Sequence, residues 1–327
     1  MKILSLLIGL IGLGMAGFLI VQEGPTLVLK TFADAGWGVL LANLAHLPHM
    51  MLAGRGWQVL WPPQRRPRLT LLFWVLWVRE AVNSLLPVAR VGGEVVAVAM
   101  LRRSGLPLSS SVGTLVVETT LSIAATLLLV LVSLFLLAAR VPSHGQWLQW
   151  TLGLMVAAAV LAALIGVQRL GAFRLSSRLL NMLGGSQKLV ASGRRLDRAV
   201  WVFYRDPWRV TSCTAWSFLS WCVGAVEIWL AMLFLNHPIS FADAFILEGM
   251  VLAIGAAAFF VPGTLGVQEA AFLLFGQMLG VPGHLCLSLA LIRRCRDLLV
   301  MAPALLVWQV QEGHSLLAGL RKRPPET

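Results

Sequence analysis

The chain has 327 residues, of which 58% are hydrophobic and 12% are charged, and its mean hydropathy is +0.82. Soluble globular proteins contain about 45–50% apolar and about 25% charged residues. This composition therefore excludes a water-soluble protein and predicts an all-α integral membrane protein. The net charge of +12 does not indicate nucleic-acid binding, because the basic residues lie in short clusters between long apolar runs.

Nine apolar runs can be read along the chain. The first, 3–21, lacks a cleavage site of small residues, so we interpret it as a retained span rather than a signal peptide. A span needs about 20 residues, and most of the runs qualify. The other eight lie at 37–60, 69–86, 109–139, 147–168, 209–235, 241–261, 264–279 and 284–309.

Two segments contain helix-breaking residues in the middle of apolar sequence. We predict that each is a re-entrant hairpin, which enters the membrane and leaves on the same side; 69–104 is called the first broken hairpin and 241–280 the second. The predicted hinge residues are Pro87, Gly92 and Gly93 in the first, and Pro262, Gly263 and Gly266 in the second.

The distribution of arginine and lysine supports this topology. The basic loops are 61–68, 102–108, 169–208 and the tail at 321–323, whereas 22–36, 140–146, 236–240 and 281–283 carry little positive charge. With two re-entrant hairpins, every basic loop falls in the cytoplasm, as the positive-inside rule requires. This predicts six full spans in the bacterial inner membrane, with both termini cytoplasmic.

The longest basic loop, 169–208, mixes apolar residues with arginines. One interpretation is an amphipathic helix on the inner leaflet, with its arginines near anionic head groups. A solvated connector is the equally weighted alternative.

An internal repeat is indicated at an offset of 175 residues. The shift pairs Pro87 with Pro262 and Glu94 with Glu269, and it also pairs Gly105 with Gly280 and Pro107 with Pro282. Three predicted spans separate the two broken hairpins, and an odd number makes them enter from opposite sides. We therefore predict an inverted-topology repeat within a single domain, 1–327, with halves centred on 69–139 and 241–309.

Ionisable residues inside membrane segments are costly unless they are paired or hydrated, so they mark candidate sites. Arg90, Glu94, Gln268 and Glu269 are the strongest candidates, because they lie on the broken backbone. Buried structural ion pairs are the alternative for about half of the set. The candidates for substrate binding are Arg79, Glu80, Asn83, Arg90, Glu94, Glu118, Gln268, Glu269, Arg293 and Arg296; Glu227, Glu248, Arg294 and Asp297 also lie in membrane segments.

Two further pairs of residues are candidates for an interaction. Glu118 and Arg293 correspond under the offset of 175 and carry opposite charges, so they are a candidate ion pair between the repeats. His46 and His49 lie three residues apart on one helical face, but a metal needs more ligands, and the four cysteines have no metal-ligand spacing. No metal or cofactor is expected.

The stretch AAAFFVPGTLGVQEAAFLLFGQMLG and the later LSLALIRRCRDLLVMAPALLVWQ resemble the HpnL-type hopanoid-biosynthesis-associated membrane proteins. These belong to the family named for the lysylphosphatidylglycerol synthase transmembrane region. VREAVNSLLPVARVGGEVV and WCVGAVEIWLAM carry the resemblance over nearly the whole chain. The resemblance implies a flippase-like domain that moves lipids, hopanoids in this branch, with polar hairpin motifs at Arg90, Glu94 and 262–269 and a basic stretch at 293–297.

The sequence departs from these relatives in two places. Relatives often have an arginine shortly before AAFFVPG, where this chain has Ile254 and Gly255, so a head-group role at that position is in doubt. An aminoacyl-transfer domain is not expected either, since only about 18 residues follow the last predicted span, a length well below that of a domain.

We therefore predict a lipid transporter, not an enzyme, whose partners are membrane lipids, with proteins of lipid synthesis or export as further candidates. Arg90 and the half-helix N-termini would hold oxygens of the head group, and Glu94 and Glu269 would accept from hydroxyl or ammonium groups. Two alternatives stay open. One is an intramembrane lipid-modifying transferase with Glu94 or Glu269 as base, and the other is a non-catalytic scaffold for lipid-synthesis enzymes.

Overall fold

The computed structural model describes residues 25–86, 92–140, 205–258 and 261–321, with isolated positions outside these ranges. Within them the chain forms helices and turns and contains no strand, which confirms the all-α class. The helices are α1 (Pro25–Asp34), α2 (Trp37–Leu44), α3 (His46–Leu60), α4 (Leu69–Leu85), α5 (Gly92–Arg103), α6 (Leu108–Arg140), α7 (Pro207–Phe234), α8 (Phe241–Ala257), α9 (Val267–Met278), α10 (Gly283–Arg296) and α11 (Ala302–Arg321).

The predicted apolar runs correspond to helices, with three differences. The run at 37–60 is divided between α2 and α3, and the last run is interrupted by a π-helical turn at Asp297–Met301. The prediction of a loop at 22–36 is wrong for Pro25–Asp34, which form α1. The spans predicted at 3–21 and 147–168, and nearly all of the loop 169–208, lie outside the described residues.

Only some of the described helices have the length and composition of a complete span. These are α6 and α7, and a third is obtained if α1 and the segment Trp37–Leu60 count as one span despite the 75° bend between them. The bend lies at Gly36, whose φ of 50° suits a residue without a side chain. The six full spans therefore stay a prediction.

Helix α7 runs antiparallel to α3. Arg209, near the start of α7, contacts the carbonyl oxygen of Leu60 at the end of α3 at 3.5 Å. Near the other end of the pair, the ring Nδ1 of His46 lies 3.2 Å from Glu227. The helices approach closely at Gly56, where an added Cβ would lie 3.1 Å from the Cβ of Trp216.

Helix α6 runs antiparallel to α8. Arg140 at the end of α6 donates to Asp243 at the start of α8 at 2.9 Å, and Ser133 donates to the carbonyl oxygen of Phe245 at 2.9 Å. Gly249 permits this contact, because an added Cβ would lie 2.1 Å from the hydroxyl oxygen of Ser133. Helix α8 therefore begins at the end of the molecule where α6 finishes.

The two broken hairpins begin at opposite ends of the molecule. Helix α4 starts shortly after Leu60, beside the start of α7, whereas α8 starts shortly after the end of α7. The 28 residues of α7 separate these ends by about 42 Å. The basic loop 61–68 and Arg209 lie at one end, as the predicted topology requires.

Several structural features repeat at the predicted offset. Gly92–Arg103 and Val267–Met278 are separated by 175 residues at both ends, and so are the starts of α6 and α10. The glycines that follow α5 and α9, Gly105 and Gly280, have φ angles of 82° and 80°. Helices α5 and α9 are thus each joined to the next helix by the same kind of left-handed turn.

Large apolar side chains cover much of the outer surface. Trp37 is 82% exposed, Phe135 74% and Leu298 62%. Extensive exposed apolar surface is typical of a protein that contacts lipid. The charged residues of the membrane segments lie instead in the interior, where they form the site described next.

Candidate functional site

A polar cavity lies between the two broken hairpins, and we call it the central cavity. Its volume is about 480 Å³, within the range of about 300–1,000 Å³ that is usual for ligand pockets. The lining residues are His46, His49, Arg79, Glu80, Asn83, Ser84, Glu94, Thr119, Ile123, Trp221, Gly224, Glu227, Glu248, Leu252, Gly263, Thr264, Gln268, Arg293, Arg296, Asp297 and Met301.

Arg79 of α4 connects three helices on one side of the central cavity. It donates to Glu118 of α6 at 2.8 Å, and its Nε lies 3.6 Å from the carboxylate of Glu94 on α5. Its guanidinium also lies over the ring of Trp57, 5.8 Å from the ring centroid. A buried charge is tolerated only with such partners, so this arrangement holds the first broken hairpin against α6.

The start of α5 is held by a neutral side chain. Asn83, near the end of α4, accepts a hydrogen bond from the backbone N–H of Gly93 at 2.9 Å. An added Cβ on Gly93 would lie 2.4 Å from the carbonyl oxygen of Arg79, which no other residue could accommodate without movement. Gly92 and Gly93 begin α5, whereas Pro87 and Arg90 lie outside the described residues, so the break at these hinge residues stays a prediction.

The second break is held by a cation. Arg294 of α10 donates to both carboxylate oxygens of Glu269, at 2.8 and 3.2 Å, and to the carbonyl oxygens of Gly263 and Thr264, at 2.6 and 3.2 Å. The break itself consists of a short 3₁₀ turn at Pro262–Thr264, with φ angles of 60° at Gly263 and 75° at Gly266. These hinge glycines lie where they were predicted, because the left-handed backbone favours glycine.

The last segment contributes two more arginines to the central cavity. Arg293 forms an ion pair with Glu248 of α8 and lies 3.7 Å from Glu227 of α7. Arg296 lies 3.3 Å from Glu227 and 3.1 Å from Asp297. Glu227 is therefore shared by two guanidiniums, which compensates for its nearly complete burial.

The candidate pair of Glu118 and Arg293 is wrong. Glu118 pairs with Arg79, and Arg293 pairs with Glu248, so each ion pair joins the first helix of a hairpin to the long segment that follows it. Both helices in each pair come from the same one of the two segments that were predicted to be repeat halves. The polarity is reversed between the two halves, because the arginine lies on α4 in one and on α10 in the other.

The other predicted site residues divide into two groups. Seven of the ten line the central cavity: Arg79, Glu80, Asn83, Glu94, Gln268, Arg293 and Arg296. Glu118 and Glu269 lie behind it, where they bind Arg79 and Arg294, and Arg90 lies outside the described residues. Most of the predicted residues thus lie around one cavity, but the sequence did not separate lining residues from their partners.

Several residues of the central cavity were missed. Glu227 and Glu248 were noted as membrane charges without a role, although a lone carboxylate in an apolar helix is itself a signal of function. His46 and His49 were considered only as metal ligands. Within the part of the chain that the structure describes, no group of three or more metal-ligating side chains occurs.

An apolar opening adjoins the central cavity, and we call it the side groove. Its volume is about 320 Å³, and it shares Ser84, Gly263 and Asp297 with the central cavity. It is lined by Ser84, Leu85, Leu86, Gly263, Leu265, Arg294, Asp297 and Leu298. Polar groups therefore lie toward the cavity, and leucines surround the rest of the groove.

Comparison with known proteins gives one match. The profile of the lysylphosphatidylglycerol synthase TM region matches residues 2–304, which is nearly the whole chain. The match indicates a membrane protein with a lipid-related function. A search of curated proteins and a search of solved structures each gave no match.

Proposed function

The chain belongs to the family of the lysylphosphatidylglycerol synthase TM region, and from this premise we propose that it is a lipid transporter of the bacterial inner membrane. It moves an amphipathic lipid across or out of that membrane, with its termini in the cytoplasm. It carries out no chemical step on the lipid.

The observation that carries this proposal is the junction of a charged cavity with an apolar groove. The central cavity provides hydrogen-bonding and charged groups for a head group, and the side groove offers leucines to an apolar body. The two meet at Ser84, Gly263 and Asp297, beside both breaks. A site with one polar and one apolar part matches an amphipathic molecule.

The repeat suggests how the site is presented to each leaflet. The two broken hairpins begin at opposite ends of the molecule, and α5 and α9 have the same bounds at an offset of 175. Inverted repeats of this kind support alternating access, in which one half rocks against the other around a fixed site. We propose that this chain works in the same way, with six full spans.

A hopanoid is the first candidate substrate. The resemblance of the segment VPGTLGVQE to HpnL-type proteins supports this choice, and the segment forms the second break and the start of α9. The leucines of the side groove are compatible with a rigid polycyclic body. A phospholipid is the second candidate, since the family name refers to one.

Transport can be tested in vesicles that contain the purified protein. A radiolabelled hopanoid is incorporated into both leaflets, and the outer leaflet is sampled by extraction with methyl-β-cyclodextrin; NBD-labelled phosphatidylglycerol with dithionite quenching tests the phospholipid. We expect the protein to increase the rate of lipid movement, and the double variant Glu94→Gln/Glu269→Gln to lose most of that increase. Mass spectrometry of co-purifying lipids identifies the substrate independently.

The control is Asp34→Asn, which removes an exposed carboxylate outside the central cavity. This variant should transport lipid at the normal rate. Normal transport by the double variant would remove Glu94 and Glu269 from the mechanism. If the vesicles instead accumulate a chemically modified lipid, an intramembrane transferase is correct, and if no lipid moves or changes, a scaffold for lipid-synthesis enzymes becomes the better explanation.

A further inference from the structure

His46 lies between two carboxylates that belong to different helices. Its Nδ1 is 3.2 Å from Glu227 of α7, and its Nε2 is 3.5 Å from Glu80 of α4. Carboxylates only accept hydrogen bonds, and a neutral imidazole has a single N–H to donate. Both contacts can therefore be hydrogen bonds only when a proton is bound, either on the imidazole or on one carboxyl group. The geometry defines a site for one proton.

The ring of His49 lies beside this proton. Its ring stacks on that of His46, with centroids 4.8 Å apart and planes 19° apart. Its Nδ1 lies 2.7 Å from the carbonyl oxygen of Ser220, to which it must donate, so Nε2 carries the lone pair of a neutral ring. Two charged imidazoles at this distance would repel each other. The stacked pair thus holds one proton, which lies on His46 between the two carboxylates.

Charged groups from every neighbouring helix face this pair. Glu227 and the two arginines that share it, Arg293 and Arg296, come from α7 and α10. Glu80 and Arg79 come from α4, and Arg79 binds Glu118 of α6. Five carboxylates and three guanidiniums line the central cavity: Glu80, Glu94, Glu227, Glu248 and Asp297 against Arg79, Arg293 and Arg296. A proton on His46 offsets part of this surplus of negative charge.

The contacts of Glu227 and of Glu80 depend on the proton to different degrees. Glu227 keeps its contacts with Arg293 and Arg296 when the proton leaves. The ion-pair contact of Glu80 within the described part of the chain comes from His46, so deprotonation removes it. Glu80 lies on α4, one turn before Ser84 at the junction with the side groove. The bound proton therefore adds a polar link from the first broken hairpin through His46 to α7.

We propose that His46 binds the proton whose movement drives transport. The proton enters from the compartment of lower pH, forms an N–H bond on His46 and connects Glu80 with Glu227. After the halves rearrange, the N–H bond on His46 breaks and water of the compartment of higher pH accepts the proton, so that one proton crosses per lipid. This inference rests on the proposed transport function and names its energy source.

The test uses the vesicles with radiolabelled hopanoid or NBD-labelled phosphatidylglycerol and a pH difference across the membrane. At one proton per lipid, a difference of one pH unit changes the steady-state ratio of lipid between the leaflets by about tenfold. Reversing the pH difference reverses the ratio, and a protonophore abolishes it. These measurements need only the unaltered protein, so they do not depend on the folding of a variant.

The His46→Gln variant identifies the residue. Glutamine can bridge polar groups but does not titrate, so this variant is expected to equilibrate lipid without responding to the pH difference. His237→Gln, in the turn between α7 and α8 and away from the central cavity, is the matched control and should respond normally.

Two results would overturn the inference while leaving the proposed function intact. One is lipid movement by the unaltered protein that is the same with and without the pH difference. The other is a full response by His46→Gln. Absence of any lipid movement in the unaltered protein would reject the proposed function, and the inference with it.

Discussion

The two broken hairpins hold their breaks with different chemistry. In the described part of the first, Asn83 accepts from the N–H of Gly93 at 2.9 Å, and Glu94 in the first turn of α5 lies at the longer distance of 3.6 Å from Arg79. In the second, Arg294 makes four hydrogen bonds, two to Glu269 and two to the carbonyl oxygens of the break. Charge-assisted hydrogen bonds are about twice as strong as neutral ones. We therefore expect the second break to be the fixed one and the first to rearrange more easily.

The comparison extends to the ion pairs. Arg79 of the first hairpin pairs with Glu118, whereas Glu248 of the second pairs with Arg293, so the charges are exchanged between equivalent helices. The first hairpin also has the proton-dependent contact between Glu80 and His46. The two segments thus share helix bounds at an offset of 175 but differ in the charged contacts that hold them.

The strongest test of this difference is Arg294→Ala. The substitution leaves Glu269 buried without its cation and removes the donors to two carbonyl oxygens. Breaking a buried ion pair costs about 3–5 kcal/mol. Unfolding by SDS titration in mixed micelles should show a decrease of this size in the free energy of unfolding. Arg294→Lys should give an intermediate decrease, because lysine keeps the positive charge but not the planar set of N–H donors of the guanidinium. A loss below about 1 kcal/mol would contradict the anchoring role.

Substitution of Gly93 by alanine tests the packing of the first break. The new Cβ would lie 2.4 Å from the carbonyl oxygen of Arg79 and 2.6 Å from the side-chain oxygen of Asn83. Overpacking of this kind costs about 1–3 kcal/mol in the same unfolding assay. Gly255→Ala is the matched control, since the nearest atom to its added Cβ is 3.8 Å away. Equal stability of the two variants would show that the close approach at Gly93 is not required.

Asn83→Ala tests directly whether the first break is held less strongly than the second. It removes the hydrogen bond to Gly93, and loss of such a cap costs about 1 kcal/mol. The variant should therefore be less destabilised than Arg294→Ala. If Asn83→Ala and Arg294→Ala prove equally destabilising, the two breaks are held with equal strength and the distinction drawn above is incorrect.

The smallest effect is expected for Arg140→Gln. The pair of Arg140 and Asp243 lies where the second hairpin begins, and the arginine side chain is 48% exposed. Exposed ion pairs contribute about 0–1 kcal/mol. An unfolding free energy close to that of the unaltered protein would show that the second hairpin is held at its break rather than at its start. A loss comparable to that of Arg294→Ala would place the anchor at the start instead.

The helices and the offset of 175 could be predicted from the sequence, because apolar length and helix-breaking residues are local signals. For example, the offset pairs Gly105 with Gly280, and these two glycines have φ angles of 82° and 80°. The partners within the site could not be predicted, since they depend on how each helix is rotated. His46 and Glu227 are 181 positions apart, and only the antiparallel packing of α3 and α7 brings them together.

The spacing of residues in the sequence likewise could not predict which of them line the central cavity. Gln268 and Glu269 are neighbours, yet one lines the central cavity and the other binds Arg294 behind it. Adjacent residues of a helix point about 100° apart. A motif therefore locates a site more reliably than it assigns a role to each of its members.

The π-helical turn at Asp297–Met301 determines the direction in which the side chains of α11 point relative to those of α10. Such a turn accommodates an extra residue, and each residue of an α-helix advances the side-chain direction by about 100°. Trp77 donates to the carbonyl oxygen of Val300 at 2.7 Å, which fixes the turn against α4. The arginines before the turn face inward while Leu298 and Leu299 face outward. Removing one residue from this turn would rotate α11 about its axis relative to α10. Its side chains would then face different neighbours, although every charged residue would still be present in the chain.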